Sequence, residues 1–374
     1  MVELSRRTLF RYTRTGALSV GIMAIATACS KAATPKATPS ATPTSASPTP
    51  TPTPTLAVAG AEPELASVVA AHYGGKAVGE ATATQGVWRG QGVAVVTFGE
   101  DVTLAVKEAT WRVVGGWWPS IGRAEPELGG KPRFMLALGS DARPGEDVGR
   151  SRGDAIHVLG IDGAGGGGVL GLARDLWVPL AGGGQGKLNS ALTFGGPDGF
   201  LETVKALTGV PIEGYVVTGF QGFEAMIDEW GGIPIFIPKA VTEKGQLVIP
   251  EGNNHFAGAA ALDYARLRHD LPNGDFDRSL HQGELVLAAA IKARMAGIGS
   301  VPASLSIADK QVLTNLSPEQ VLTFAAAFYR LDPTQVSQFV GKGGFGTSSD
   351  GQSIVLLDDE SRAKFAQFAS TGRF

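Results

Sequence analysis

The chain is expected to be of the α/β class: a three-layer α/β/α domain over residues 131–374, preceded by a small α+β domain over residues 57–130. Three observations lead there. Apolar segments of strand length, "PRFMLALG", "DAIHVLGI" and "GVLGLARDLWVPL", stand in a row and are punctuated by glycines. Segments with helical spacing, "PDGFLETVKALTG" and "TGFQGFEAMIDEWGG", follow. Strands alternating with helices favour a sheet covered by helices. Ahead of all this, one short helical segment precedes a meander of alternating strands.

The first 56 of the 374 residues lie outside both units. Residues 1–29 have a basic head, an apolar run from Gly16 to Ala28, and then Cys29. The run is shorter than the ~20 residues that cross a bilayer and has the length of a secretory apolar region. Arg6-Arg7 after Ser5 has the form of a twin-arginine export signal, although an ordinary basic head also holds two adjacent arginines. Cys29 is the sole cysteine, so neither an internal disulfide nor a thiolate metal site is available. "ATAC" has the layout of a lipobox with Ala26 in the leucine position, and lipid modification of Cys29 is the expectation. Residues 30–56, rich in Pro, Thr, Ser and Ala, have almost nothing to bury and read as an extended spacer. An extracytoplasmic protein, membrane-anchored through Cys29 or secreted, is therefore expected.

Charged residues make up only 18% of the chain and the net charge is −3. A nucleic-acid binder normally carries a basic face, so nucleic acid is not an expected partner.

In the small domain, "ELASVVAAHYGG" places Leu65, Val68, Val69 and His72 at helical spacing and stops on glycines. "GVAVVTFGEDVTLAVKEATWRVVGGWW" then reads as strands with a turn at Gly99-Glu100-Asp101. Four of the six tryptophans lie here: Trp88, Trp111, Trp117 and Trp118. They form either a small core or a glycan-stacking platform, and the core is preferred. In the larger domain, "DGAGGGG" lacks the spacing and following helix of a phosphate loop and reads as a turn. The helix in "TGFQGFEAMIDEWGG" carries Phe220, Phe223, Met226, Ile227 and Trp230 on one spacing and ends at Gly231.

Ligands gather at the C-terminal ends of strands in open α/β sheets. Asp141 follows the first strand of the larger domain and Asp154 opens the next. Two carboxylates entering one site repel unless a cation lies between them, and a hard divalent ion suits them. Asp141 alone would be a turn or cap residue. Arg152, Arg174, Arg266, Arg268 and Arg278 all sit near element ends. On a helix Arg266 and Arg268 would point about 200° apart, whereas on a strand they share a face. A shared ligand therefore requires "ARLR" to be extended or to leave its helix near Tyr264. Asp275 opens a long helix ending at Gly297, where it is well placed as an N-cap. Arg278 and Gln282, four apart, share a face of that helix. Arg174-Asp175 could be a surface pair, and Lys187 and Asn189 follow in a loop. Guanidinium forks suit phosphate oxygens, and paired carboxylates suit a metal that also binds phosphate. A pyrophosphate satisfies both.

The stretch from about Phe134 to Gln282 resembles the LytR-CpsA-Psr family of bacterial envelopes. The residues that carry the resemblance are "LGSDAR", "RSRGDAI", "LARDLWVP", "KLNSALTFGGPDG", "GFQGFEAMIDEWGGI", "ALDYARLR" and "GDFDRSLHQ", in the family's order and spacing. Residues 298–374 look like the family's less distinctive C-terminal part. The resemblance implies a central mixed sheet and a transferase that moves a phosphate-linked glycopolymer from a polyprenyl-pyrophosphate carrier onto peptidoglycan. Carried over by motif, Asp141 and Asp154 would hold Mg²⁺, with Mn²⁺ as the alternative. Arg152, Arg174, Arg266, Arg268, Arg278 and Gln282 would grip the pyrophosphate, with Lys187 nearby. Arg174, Arg266 and Arg278 would act on the reacting phosphate, and Asp275 is the candidate base unless it is only a cap. The lipid would enter a long apolar pocket between sheet and helices. Three features depart from the family. His281 replaces an arginine before the glutamine, "GLARD" replaces Ser-Ile-Pro-Arg-Asp, and an export signal with a spacer replaces a transmembrane helix. A non-catalytic polyprenyl-pyrophosphate or wall-glycan binder, or a pyrophosphohydrolase, remains the alternative.

Overall fold

The computed structural model describes residues 56–267 and 274–374. The export signal with Arg6, Arg7 and Cys29, the spacer up to residue 55, and Arg268 lie outside the described residues.

The chain opens with β1 (Leu56–Ala59), α1 (Pro63–Tyr73), β2 (Gly79–Trp88), β3 (Gln91–Phe98), β4 (Asp101–Lys107), β5 (Trp111–Trp118) and β6 (Arg123–Glu127). They form one six-stranded sheet in sequence order. Leu56, which composition assigns to the spacer, begins β1 instead, because it pairs in parallel with Gly79 of β2. The other neighbours are antiparallel, as expected of strands joined by tight turns.

The larger unit runs β7 (Arg133–Ser140), β8 (Gly153–Ile161), β9 (Gly167–Leu172), β10 (Trp177–Pro179), β11 (Gln185–Lys187), α2 (Ser190–Thr208), β12 (Tyr215–Thr218) and α3 (Phe220–Glu229). It continues with β13 (Ile233–Ile237), β14 (Val241–Glu243), β15 (Gln246–Ile249), β16 (Gly252–Phe256), α4 (Gly258–Arg266) and α5 (Asp275–Ala296). It closes with α6 (Val301–Asp309), β17 (Leu313–Thr314), α7 (Pro318–Tyr329), β18 (Val336–Gly341), β19 (Gly343–Thr347), β20 (Ser353–Leu357) and α8 (Asp359–Thr371). The central sheet has the order β17-β12-β7-β8-β9-β18. It is mixed: β12 and β18 join in parallel, whereas β7, β8 and β9 form an antiparallel meander.

Period-two alternation divides that sheet between two cores. Leu136, Leu138, Ile156 and Val158 pack with Phe200 and Val204 of α2 and Phe365 and Phe368 of α8. On the other face, Leu159, Ile161 and Val169 join Leu305 of α6 and Leu322 and Phe324 of α7. This second core continues without a break into Trp88, Val95, Leu104 and Trp117 of the first sheet. Helices α6 and α7 are thus shared by two sheets. The contact is also polar: Trp88 Nε1 donates to Leu316 O at 3.0 Å and the Val87 amide to Ser306 Oγ at 2.7 Å.

All four tryptophans of the first unit are buried, Trp88 and Trp118 to 1% exposure. A glycan-stacking platform on these rings is ruled out, since their faces are used by packing. His72 leans its ring 4.3 Å from Trp118, with Nε2 3.1 Å from Arg123 Nη1. Among the described residues, no single helix is long and apolar enough to cross a membrane.

Gly86 is the tightest point between the units: a Cβ there would sit 2.1 Å from Pro302 O. Gly86→Ala is therefore expected to lower stability by roughly 1–3 kcal/mol, the range for overpacking, read as a lower urea midpoint. An unchanged midpoint would mean that the first sheet is not held on α6 through this contact.

Candidate functional site

The site lies where β7 and β9 end and β8 begins. At the start of β8, Gly139 pairs with Ala155 and Ser140 with Gly153, so Asp154 is an extra residue in a bulge. Bulges re-aim side chains. Arg174 stands in the turn after β9, Arg266 ends α4, and Arg278 and Gln282 occupy the first turns of α5. Gly171 of β9 allows α5 to come this close, since a Cβ there would lie 2.4 Å from Ser279 Oγ.

One ion network joins five of the expected site residues, Asp154, Arg174, Lys187, Asp275 and Arg278, together with Asp175. Arg174 Nη1 donates to Asp154 Oδ1, and Arg278 Nη2 donates to Asp275 Oδ1. Arg278 Nη1 lies 3.9 Å from Asp154 Oδ2, and Arg174 Nε lies 3.9 Å from oxygens of both Asp175 and Asp275. Lys187 Nζ reaches Asp175 Oδ1 at 3.1 Å. Arg278 is only 2% exposed. A guanidinium so desolvated is tolerable only among anions. Burial opposes charge on Arg174, but the attraction and hydrogen bond of Asp154, then Asp275 and Asp175, outweigh it and raise its pKa. Arg174 Nε still makes no hydrogen bond among the described residues.

The Arg174-Asp175 pair is thus part of the network and no surface ornament. Asp275 is corrected from N-cap to first helical residue: Gly274 holds the cap position, and no side-chain cap bond is made. Its carboxylate instead faces Arg278 and Arg174. Lys187 ends the short strand β11, paired with Trp177, and does not sit in a loop. Helix α4 continues through Arg266 and turns extended at Leu267, three residues later than Tyr264. Arg266 stacks 4.8 Å over Phe220. Gln282 Nε2 donates to Ala265 O at 3.0 Å, tying the end of α4 to α5. Arg152 is exposed, and its amide donates to Asp141 Oδ1 at 2.8 Å.

Asp141 and Asp154 leave adjacent strands at one sheet end, but among the described residues no group of three or more His, Cys, Asp or Glu could hold a metal. Two carboxylates still suit Mg²⁺, which commonly takes one or two and completes its shell with phosphate oxygens and water. His281, in the family's arginine position, stacks on Tyr264 with centroids 4.5 Å apart. Burial lowers its pKa, with Asp277 opposing, so it is a neutral packing group at pH 7.

Beside the ions lies an apolar cavity of about 350 Å³. Phe220, Phe223, Met226, Ile227 and Trp230, one face of α3, line it, as do Leu285 and Ala289 of α5. Its polar lining includes Asp154, His157, Thr218, Arg266 and Gln282. The helical spacing of those residues was legible; that they line a cavity was not, because a cavity has no sequence signature. Sequence reasoning also missed His157, buried in β8, whose Nε2–H donates to Ser279 O at 3.1 Å. It fastens the first turn of α5 to the sheet.

An α/β/α domain with a guanidinium cluster at one sheet end and an apolar cavity beside it is the class that fold and site define. The model described as "LytR_cpsA_psr family" matches residues 123–369, and the chain belongs to that family. Over 194 residues it is 32% identical to the polyisoprenyl-teichoic acid–peptidoglycan teichoic acid transferase TagU of Bacillus mycoides (strain KBAB4), covering 51% of this chain and 62% of that one. Over 155 residues it is 36% identical to regulatory protein MsrR of Staphylococcus aureus (strain COL), covering 41% and 46%. The chain therefore matches less than two thirds of the length of these relatives. The crystal structure of TagV from B. subtilis superposes with a TM-score of 0.55 at 26% identity, covering 64% of this chain and 96% of that one.

Burial pushes the His157 pKa down to about 4, with the Ser279 carbonyl opposing. A depressed pKa means that the unfolded chain takes up the proton first. The stability held above the ordinary value near 6.5 is then lost as pH falls toward 4, by about 3 kcal/mol. His157→Gln is expected to flatten the stability slope between those pH values by that amount, measured by urea unfolding. Parallel slopes would contradict the assignment.

Proposed function

We propose that the protein is a phosphotransferase that moves a phosphate-linked glycopolymer from a polyprenyl-pyrophosphate carrier onto peptidoglycan outside the membrane. The observation that carries this reading is the junction of the two halves of the site: the apolar cavity has Asp154, Arg266 and Gln282 in its polar lining, and Asp154 is the partner of Arg174. A prenyl diphosphate has that same division, a greasy chain joined to a compact anion. The family membership and the transferase name of the TagU relative support the same chemistry.

In this reading the tail lies along α3, and its diphosphate displaces carboxylates from the forks of Arg174 and Arg278. Arg266, Arg152, Lys187 and, outside the described residues, Arg268 complete the grip. Asp141 and Asp154 would hold Mg²⁺ or Mn²⁺, which when bound neutralises charge on the phosphoryl oxygens. A hydroxyl oxygen of the acceptor bonds to the sugar-linked phosphorus, the bridging P–O bond breaks, and polyprenyl phosphate leaves. Asp275, between Arg174 and Arg278, receives the hydroxyl proton. Guanidiniums fixed before the reaction stabilise charge on the transferring group. Export through residues 1–29, the spacer over residues 30–56 and a lipid on Cys29 would place the domain at the envelope.

Asp154→Ala, Arg174→Ala and Arg266→Ala are each expected to reduce transfer of labelled glycan from a lipid-pyrophosphate donor to peptidoglycan oligomers by roughly 10²-fold or more. Transfer at wild-type rates in all three would remove the site from the reaction. Tight donor binding without transfer by the intact protein would favour a binder, and release of free glycan phosphate a pyrophosphohydrolase. Met226→Glu, which puts a charge in the apolar cavity, is expected to weaken binding of long-chain donors more than of donors with a short prenyl chain. Equal effects on both would show that the tail lies elsewhere.

A further inference from the structure

A second cavity, of about 430 Å³, adjoins the first at the ion network: Asp154 lines the apolar one and its partner Arg174 lines this one. One wall is cationic, made by Arg152, Arg174 and Lys187. The rest is of another character. Trp177 and Phe194 supply rings, Gln185, Asn189 and Gln352 supply amides, and Asp175 and Asp350 supply carboxylates. Phe194 is 73% exposed. Its ring is thus open to a ligand in the groove that it lines.

The groove is also held in shape before any ligand arrives. Asp350 and Gln352 come from the turn between β19 and β20. There Ser348 Oγ donates to Asp350 Oδ1, and Gln352 Nε2 donates to Asp350 Oδ2 at 2.6 Å. The hairpin is tied to the network, since the Val355 amide donates to Asp175 O at 2.9 Å. Order of this kind lowers the entropy lost on binding.

We propose that this groove is a sugar subsite, in which hexopyranose rings of the glycan next to the reacting phosphate stack on Trp177 and Phe194 and hydrogen-bond to Gln185, Asn189, Asp350 and Gln352. The non-cationic part suits hydroxyl-rich rings: carboxylates accept from hydroxyls, and amides both donate and accept. Flat aromatic faces suit the apolar C–H faces of pyranoses. The inference rests on the transfer reading, which needs a sugar on the far side of the phosphate from the lipid. The same ring chemistry is offered by the donor's first sugars and by the acceptor strand.

The test is steady-state transfer by the full chain carrying Phe194→Ala, Gln352→Ala or Trp177→Ala. The first two alter exposed side chains, so loss of fold does not cloud them. KM for the lipid-linked glycan and for peptidoglycan oligomers is measured separately, alongside calorimetric binding of a glycan-free polyprenyl diphosphate. Each variant is expected to raise one KM by roughly 10-fold or more while glycan-free lipid binds as before. A rise in the acceptor KM assigns the groove to the wall strand, and a rise in the donor KM assigns it to the carrier's glycan. Two unchanged KM values, or an equal loss of glycan-free lipid binding, overturn the subsite. If the wild type transfers nothing, the transfer reading falls by itself. The subsite is then read by titrating β-1,4-linked N-acetylglucosamine oligomers into the protein: binding that Phe194→Ala abolishes supports it, and no binding by the wild type overturns it.

Discussion

The structure turns on a desolvated guanidinium. Arg278 is almost wholly buried, and a charge out of water is tolerable only with anions around it. Asp275 and Asp154 meet that need, and Arg174 shares both of them. The bulge that aims Asp154, the helix start that places Asp275 and the glycine in β9 that admits α5 all serve the same arrangement. The forks of Arg174 and Arg278 are thereby ordered by carboxylates, as the proposed diphosphate grip requires.

Much of this was legible in the chain because it depends on short-range periodicity. Arg278 and Gln282 share a face at a spacing of four, and both are buried on α5 as that spacing requires. The apolar strand segments that hold Leu136, Leu138, Ile156 and Val158 were readable as strands, and the packing then assigns these residues to one face. The misread positions are those where a distant partner decides. Asp275 is a plausible cap by local rules, but its carboxylate is taken by Arg278 one turn on and by Arg174 from the turn after β9. Asp175 looked like one half of a surface pair until Lys187 met it across a three-residue hairpin too short to carry a periodic signal. Helix α4 runs on through Arg266, whose guanidinium lies over Phe220 and lines the cavity.

The first sheet shows the same limit at a larger scale. Its strands and turn were readable, and so was the preference of its tryptophans for a core. That the core is shared with α6 and α7 rests on contacts such as Gly86 against Pro302, more than two hundred residues apart in sequence. This sheet extends the shell around the family fold, and the apolar cavity borders the core it shares, since Ala137, Val216 and Phe328 line the cavity and pack against that core.

The central claim is that ion network and apolar cavity act as one receptor for a lipid diphosphate. Calorimetric titration of the wild-type protein with geranylgeranyl diphosphate, inorganic pyrophosphate and geranylgeraniol separates the two halves. Each buried methylene contributes about 0.8 kcal/mol. Burying only four or five should make the intact lipid bind on the order of 10²-fold more tightly than pyrophosphate, and the alcohol should bind weakly. Equal affinities for the lipid diphosphate and for pyrophosphate would mean that the cavity and the guanidiniums do not belong to one site.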